Sequence, residues 1–186
     1  NCQAAADQLA EMITACGNHL ETGFVGTPYL LHVLSEYGHL KLAYTLLLRE
    51  KYPSWLYPVT KGATTIWEHW DGIMEDGNFW SSDMNSYNHY AYGSVADWVY
   101  MVAAGINTVE NAPGYEKILI APHPDTRLDW LKAVLETRHG KVTSEWKKEE
   151  NFWRYEITTP VDTAIVIDGK NYQVKAGSYC FYSEQK

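Results

Sequence analysis

The sequence predicts a helical layer followed by a small antiparallel β-sandwich, and three observations carry that prediction. Apolar residues recur at three- and four-residue steps in segments at about 3–20, 27–38, 39–51 and 87–104, the spacing of a helix face. Past Asn111-Ala112-Pro113-Gly114 the period changes to two, the spacing of a half-buried strand. Turn-forming pairs then divide the rest into short segments. The change of period places a boundary near 112, with a helical part at 1–112 and a sandwich at 113–186.

The elements follow in order. Residues 3–20 are rich in Ala, Leu, Met and Gln, with apolar Ala6, Leu9, Ile13 and Cys16, or Ala10, Ile13 and Gly17, at the three- and four-residue steps of a helix. Thr22-Gly23-Phe24-Val25-Gly26 breaks that helix, and Thr27-Pro28 reads as an N-cap with proline in the first turn of a second. The second helix carries Leu30, Leu31 and Leu34 and stops at Gly38, where a residue without Cβ suits the left-handed conformation. A third helix, about 39–51, must return antiparallel after so short a link. Tyr52-Pro53-Ser54-Trp55-Leu56-Tyr57-Pro58 is an aromatic loop, because each proline biases its predecessor away from helix. A Gly, Asp, Asn and Ser-rich loop fills 71–85, and a fourth helix, about 87–104, ends at Gly105. Strands are expected at 117–121, 131–138, 142–147, 152–158, 164–167 and 179–183, with turns at His139-Gly140, Asp168-Gly169 and Ala176-Gly177. The four helices carry more apolar surface than they can hide among themselves, so further helices are expected outside these residues.

Composition bounds the function. With 186 residues, 46% of them hydrophobic, the chain can bury a sizeable core. Its apolar runs fall short of the roughly 20 residues a bilayer span needs, and no membrane partner is expected. The net charge of −8, with Lys and Arg scattered singly, argues against a nucleic-acid backbone as partner. Cys2, Cys16 and Cys180 have neither paired number nor zinc-type spacing, and are expected as buried or free thiols. The N-terminus shows no starter Met and no signal-type segment, so the chain reads as a piece of something longer.

The chemistry concentrates between Gly62 and His89. Glu68 lies between Trp67 and His69-Trp70-Asp71, a place where desolvation can tune a carboxylate. Aromatic faces lie flat against sugar rings while a carboxylate handles hydroxyls or a water, so the stretch points to carbohydrate chemistry. A glutamate among tryptophans also suits a structural ion pair, and His89 alone suits a core histidine. Trp55, Tyr57 and Trp80 either line such a site or pack. Asp71-Gly72 with Glu75-Asp76-Gly77-Asn78 lacks the alternating ligands and closing Glu of a calcium loop, so no metal is expected.

Five blocks extend this reading: Thr22–Leu31, Tyr52–Val59, Gly62–Gly72, Ser86–Val95 and Tyr115–Pro124. In this order they resemble the C-terminal portion of bacterial α-L-rhamnosidases, across essentially the whole chain. The resemblance implies the end of an (α/α)6 toroid of helical hairpins followed by a C-terminal β-sandwich, in a soluble bacterial protein, cytoplasmic or periplasmic. It implies an inverting hydrolase releasing terminal α-L-rhamnose from glycosides or polysaccharides, with no cofactor. Glu68 then matches the general base and His89 a residue that contacts the sugar. Trp67, Trp70 and Asp71 belong to the surrounding motif and are taken, with Trp55, as substrate-binding candidates. The family's general acid lies in an earlier segment, so the isolated chain is expected to be inactive, to need the N-terminal remainder as its partner, and to self-associate through its exposed helix faces. Two alternatives are a noncatalytic carbohydrate-binding or packing module and a toroid glycosidase of other sugar specificity.

Overall fold

The computed structural model describes residues 1–185 and divides into two compact units, Asn1–Ala96 and the residues from Asp97 onward. In the first, α1 (Cys2–Ala15) buries Ala6, Ala10 and Ile13, drawn from both expected stripes, while Leu9 is half-buried and Cys16 and Gly17 are exposed. It ends at Gly17 and Asn18, both with positive φ, where the Asn18 N–H returns to the Ile13 carbonyl at 2.9 Å. Helices α2 (Thr27–Glu36) and α3 (Leu40–Leu47) form the expected hairpin around Gly38, whose φ is +89°. They pack through Leu30, Leu31, Leu34, Ala43, Tyr44 and Leu46. A short α4 (Leu56–Thr60) follows.

Thr27 differs from the expected cap. Gly26 holds the N-cap position, and the Thr27 hydroxyl instead donates backwards, to the carbonyls of Gly23 at 2.8 Å and Thr22 at 3.1 Å. The Thr27 side chain therefore fastens the loop that precedes α2 rather than the helix's own amides.

Asp7 of α1 meets His39 at the start of α3, with Oδ1 2.8 Å from Nε2. The Gln3 amide and His39 together hold the Asp7 carboxyl below the usual range. The two helices flank an open groove of ≈ 930 Å3, with Ala10, Glu11, Leu42 and Thr45 also on its walls.

The expected fourth helix is broken into three pieces. A 3-10 turn (Ala91–Ser94) leads into α5 (Val95–Trp98) and then a π-helical turn (Val99–Ala103), in which the Ala104 N–H reaches the Val99 carbonyl at 2.8 Å. Tertiary partners account for the last change of pitch. The Ala103 carbonyl accepts the Trp146 indole N–H at 2.8 Å, and the Ala104 carbonyl accepts the Ser144 hydroxyl at 2.6 Å. These carbonyls at a helix end have no partner within the helix, and the sandwich supplies it.

The second unit is a sandwich of two four-stranded sheets. One holds β1 (Ile106–Thr108), β2 (Ile118–Ile120), β6 (Thr163–Ile167) and β7 (Lys170–Val174) in the order β1-β2-β6-β7. The other holds β3 (Trp130–Thr137), β4 (Gly140–Lys148), β5 (Phe152–Thr159) and β8 (Gly177–Glu184) in the order β3-β4-β5-β8. All pairs are antiparallel except β2 with β6, which run parallel. Inward side chains from both sheets meet in one core, with Ile106, Ile118, Ile120, Ile165 and Ile167 from the first and Val142, Trp146, Trp153, Tyr155 and Ile157 from the second. Asp168 and Gly169 both have positive φ, which suits the two-residue hairpin between β6 and β7.

Ser144 and Trp146 thus join strand β4 to the end of the π-helical turn. Ser144→Ala leaves the buried Ala104 carbonyl without its donor and is expected to cost about 2 kcal/mol, read as a lower urea midpoint at unchanged m-value.

Cys2, Cys16 and Cys180 are free and exposed, none of them buried. Among the described residues no helix is long and apolar enough to cross a membrane.

Candidate functional site

Three hydrogen bonds build the site from two otherwise irregular segments. The Glu68 N–H donates to the Ser86 carbonyl at 3.0 Å, and the His89 N–H donates to the Ile66 carbonyl at 2.8 Å. The Thr65 hydroxyl donates to the Tyr87 carbonyl. Residues 65–68 and 86–89 therefore lie side by side, which brings together the Glu68 and His89 that the sequence analysis paired. Both side chains are half-buried: neither is sealed in the interior nor free on the surface.

The intervening loop is closed at its neck. Tyr87 donates its hydroxyl to the Gly72 carbonyl at 2.8 Å, and the Trp80 N–H reaches the same carbonyl at 3.1 Å. Glycine leaves room at position 72, where a Cβ would stand 3.0 Å from Tyr87 Cε1 and 3.1 Å from Trp67 Cε3 and would press on both rings. Beyond the neck, an Ile73–Phe79 bridge and a Met74 carbonyl accepting the Gly77 N–H at 3.0 Å shape a small hairpin with Glu75, Asp76 and Gly77 at its tip.

Aromatic rings set the walls. Trp67 is 5% exposed and sits edge-on to Tyr87, ring centres 5.2 Å apart. Trp70 stacks on Tyr92 at 3.7 Å and takes Trp55 edge-on at 5.4 Å. Trp55 is anchored by its indole N–H on the Tyr92 carbonyl at 2.9 Å. Trp55, Trp67, Trp70 and Tyr92, with Ile66 and Val59, enclose a cavity of ≈ 40 Å3. That is about the volume of one water and far below a sugar ring, so this space belongs to the packing behind the wall. His69, read from sequence as structural or surface, stacks on Trp80 at 3.6 Å.

The electrostatics are acidic. Burial raises the Tyr92 phenol above its ordinary value, and the charges of Tyr52 and Glu68 add to that. Burial does the same to Tyr52, with Asp71 next in effect, and to Tyr57, where Glu75 and Asp71 follow. Glu68 and Asp71 therefore act on neighbouring members of one tyrosine group, and a site of this sign favours positive charge developing on a bound molecule. Glu68, His89 and Asp71 are half-buried polar side chains here, and Trp70 presents the ring face turned away from Tyr92. Among the described residues no three His, Cys, Asp or Glu side chains converge as metal ligands.

The sequence reading left out three contributors. Tyr92 supports both Trp55 and Trp70; Tyr87 supports Trp67 and Gly72; and Phe24 lies 5.0 Å from His89 and 5.1 Å from Tyr92. Spacing could not reveal Phe24, which is more than sixty positions from either partner; only its place in the Thr22–Leu31 block marked it.

Comparison with known proteins places the chain. Residues 1–103 match the bacterial alpha-L-rhamnosidase 6 hairpin glycosidase domain, and residues 105–177 match the C-terminal domain of the same enzymes. An alpha-L-rhamnosidase of Streptomyces avermitilis is 44% identical over 165 residues, covering 89% of this chain and 16% of the relative. The crystal structure of Streptomyces avermitilis alpha-L-rhamnosidase complexed with L-rhamnose superposes with a TM-score of 0.90 at 37% identity, covering 98% of this chain and 20% of that one. Native rhamnosidase from Aspergillus terreus gives a TM-score of 0.90 at 31% identity, over 97% and 21%. The chain thus spans about a fifth of the length of the structures it matches.

Proposed function

The chain belongs to the bacterial α-L-rhamnosidase family, and from that premise we propose that it forms the base-bearing part of an inverting hydrolase that releases terminal α-L-rhamnose from glycosides or polysaccharides. The observation that supports this most directly is the pairing of segments 65–68 and 86–89, which carries half-buried Glu68 and half-buried His89 on adjoining stretches of backbone. In the proposed step Glu68 takes a proton from a water as that water's oxygen bonds to the anomeric carbon, and the glycosidic oxygen leaves with a proton from a general acid. Trp70, Asp71 and His89 contact the sugar, and Trp55 and Trp67 back the wall.

Inversion needs two carboxyl groups about 6.5–9.5 Å apart on opposite faces of the ring. Glu68 fills one of these places, and the proposed acid belongs to the N-terminal remainder of the protein. Val25 and Tyr90, 85% and 88% exposed on the first unit, are proposed to be covered by that remainder.

The test compares the full-length protein with residues 1–186 on a panel of nitrophenyl glycosides, where the leaving group needs little acid assistance. The full-length protein is expected to prefer the α-L-rhamnoside. The shorter chain should fall below it by at least the ~10²–10⁴ that a general acid contributes and should show self-association by light scattering. Ready turnover by the shorter chain would overturn the division of labour, and preference for another sugar would move the protein to another specificity.

One observation favours a second reading, a carbohydrate-binding module. Trp130 and Tyr182, 63% and 60% exposed, stand on the outer face of the β3-β4-β5-β8 sheet. Polysaccharide binding lost on Trp130→Ala, with turnover independent of Glu68, would support it.

A further inference from the structure

We propose that Phe24 is a positioning residue for His89, fixing the imidazole relative to the Glu68 turn through an unbroken run of rings. The inference rests on the roles assigned above to Glu68 and His89. The run begins at His89, which lies nearly parallel to Phe24 at 11° with centres 5.0 Å apart. Phe24 meets Tyr92 at 5.1 Å, Tyr92 stacks on Trp70 at 3.7 Å, and Trp70 meets Trp55 at 5.4 Å. One end is the imidazole that would hold a sugar hydroxyl; the fourth ring, Trp70, is the indole two residues after Glu68.

Phe24 arrives at this place already fixed. Its loop is fastened from behind by Thr27, which is buried and bonds Thr22 Oγ1 at 2.8 Å, the Gly23 carbonyl at 2.8 Å and the Thr22 carbonyl at 3.1 Å. The Thr27 N–H adds a bond to the Gly23 carbonyl at 3.0 Å. None of these groups touches Glu68 or His89, so the loop is set independently of them. Phe24 itself is 42% exposed, which makes little use of its ring as core.

Two other contacts constrain the imidazole: the Tyr90 ring, nearly parallel to it at 7° with centres 5.2 Å apart, and one hydrogen bond to the imidazole itself. Its Nδ1 lies 3.2 Å from the Ala91 N–H and accepts from it, which leaves the proton of the neutral ring on Nε2. Nε2 is then the donor available to a ligand, and the plane in which it points is the plane that Phe24 holds. Tyr90 is 88% exposed and holds that plane weakly, and the single backbone hydrogen bond leaves the imidazole free to tilt about its Nδ1 contact, so the ring on the fastened loop, Phe24, supplies the firmer stop.

The experiment uses the full-length protein with nitrophenyl α-L-rhamnoside and the variants Phe24→Ala, Phe24→Leu, Phe24→Trp, His89→Ala and the Phe24→Ala/His89→Ala pair. Loss of the stack is expected to lower kcat/KM about three- to tenfold, chiefly through KM, in both the Ala and Leu variants. Phe24→Trp should keep most of the activity. In the His89→Ala background, Phe24→Ala should add no further loss, because both act through the same ring. Full activity in Phe24→Leu overturns the proposal, as do losses that multiply in the double variant. Thermal unfolding separates a packing role: if Phe24→Ala loses activity with stability while Phe24→Leu restores both, Phe24 is structural and the proposal fails. Unchanged turnover in Glu68→Gln would instead refute the base assignment, a result that the Phe24 series cannot produce.

Discussion

Glu68→Gln in the full-length protein is expected to lower kcat on nitrophenyl α-L-rhamnoside by about 10²–10⁴-fold, with KM nearly unchanged. Glutamine keeps the length and shape of the side chain and still hydrogen-bonds a water, but it cannot take the proton. The loss therefore falls on the step in which the water's oxygen bonds to the anomeric carbon. The nitrophenyl leaving group makes the measurement selective, because it needs little help from the acid and leaves the base as the dominant contribution. A second arm uses Glu68→Ala with sodium azide. Azide is already an anion and requires no deprotonation, so it should restore turnover and yield a rhamnosyl azide of inverted configuration. Turnover unchanged in Glu68→Gln, or azide without effect on a folded Glu68→Ala, would remove Glu68 from the role.

The largest expected loss of stability comes from Gly105→Ala, far from that chemistry. Gly105 has φ +75°, and a Cβ there would lie 2.1 Å from the Ala121 carbonyl carbon and 2.3 Å from Pro122 N. The left-handed conformation alone costs an alanine about 1–2 kcal/mol. The contact costs more, because both atoms it meets are backbone and no rotamer relieves them. Ala121 donates its N–H to the Gly105 carbonyl at 2.9 Å, directly beside the Ile106–Ile120 pair of β1 and β2, so relief means parting those strands. A loss of about 4 kcal/mol or more is expected in urea unfolding. Gly169→Ala provides the comparison, since its φ is also +75° but nothing lies within 4 Å of a Cβ. It should show only the cost of conformation, and equal losses at the two positions would refute the argument from contact.

Much of this molecule was legible before its coordinates. Three- and four-residue spacing marked α1 as a helix, Gly38 located the α2–α3 turn, and the change of period marked the strands from β2 onward, though β1 precedes it. Glu68 and His89 came from motifs, and the structure sets their segments side by side; their roles rest on the experiments above. Other features were illegible for definite reasons. Strand β7, Lys-Asn-Tyr-Gln-Val, is exposed along nearly its whole length and so lacks the alternation that marks a half-buried strand. The fourth helix reads as one apolar run, but its broken end meets partners far along the chain, the Ala103 and Ala104 carbonyls bonding Trp146 and Ser144, forty or more residues ahead. Thr27 followed by Pro28 satisfies the cap rule in sequence, yet its hydroxyl turns to the preceding loop. In each case a partner distant in the chain, or turned away from the expected one, decides the local geometry.

The hairpin tip at Glu75, Asp76 and Gly77 lies outside the Gly72 neck and outside all three links between 65–68 and 86–89. Lengthening a flexible loop costs only about 0.6 kcal/mol per doubling. Extra residues grafted at this tip would lengthen the hairpin while the Gly72 neck and the three links between 65–68 and 86–89 keep their places.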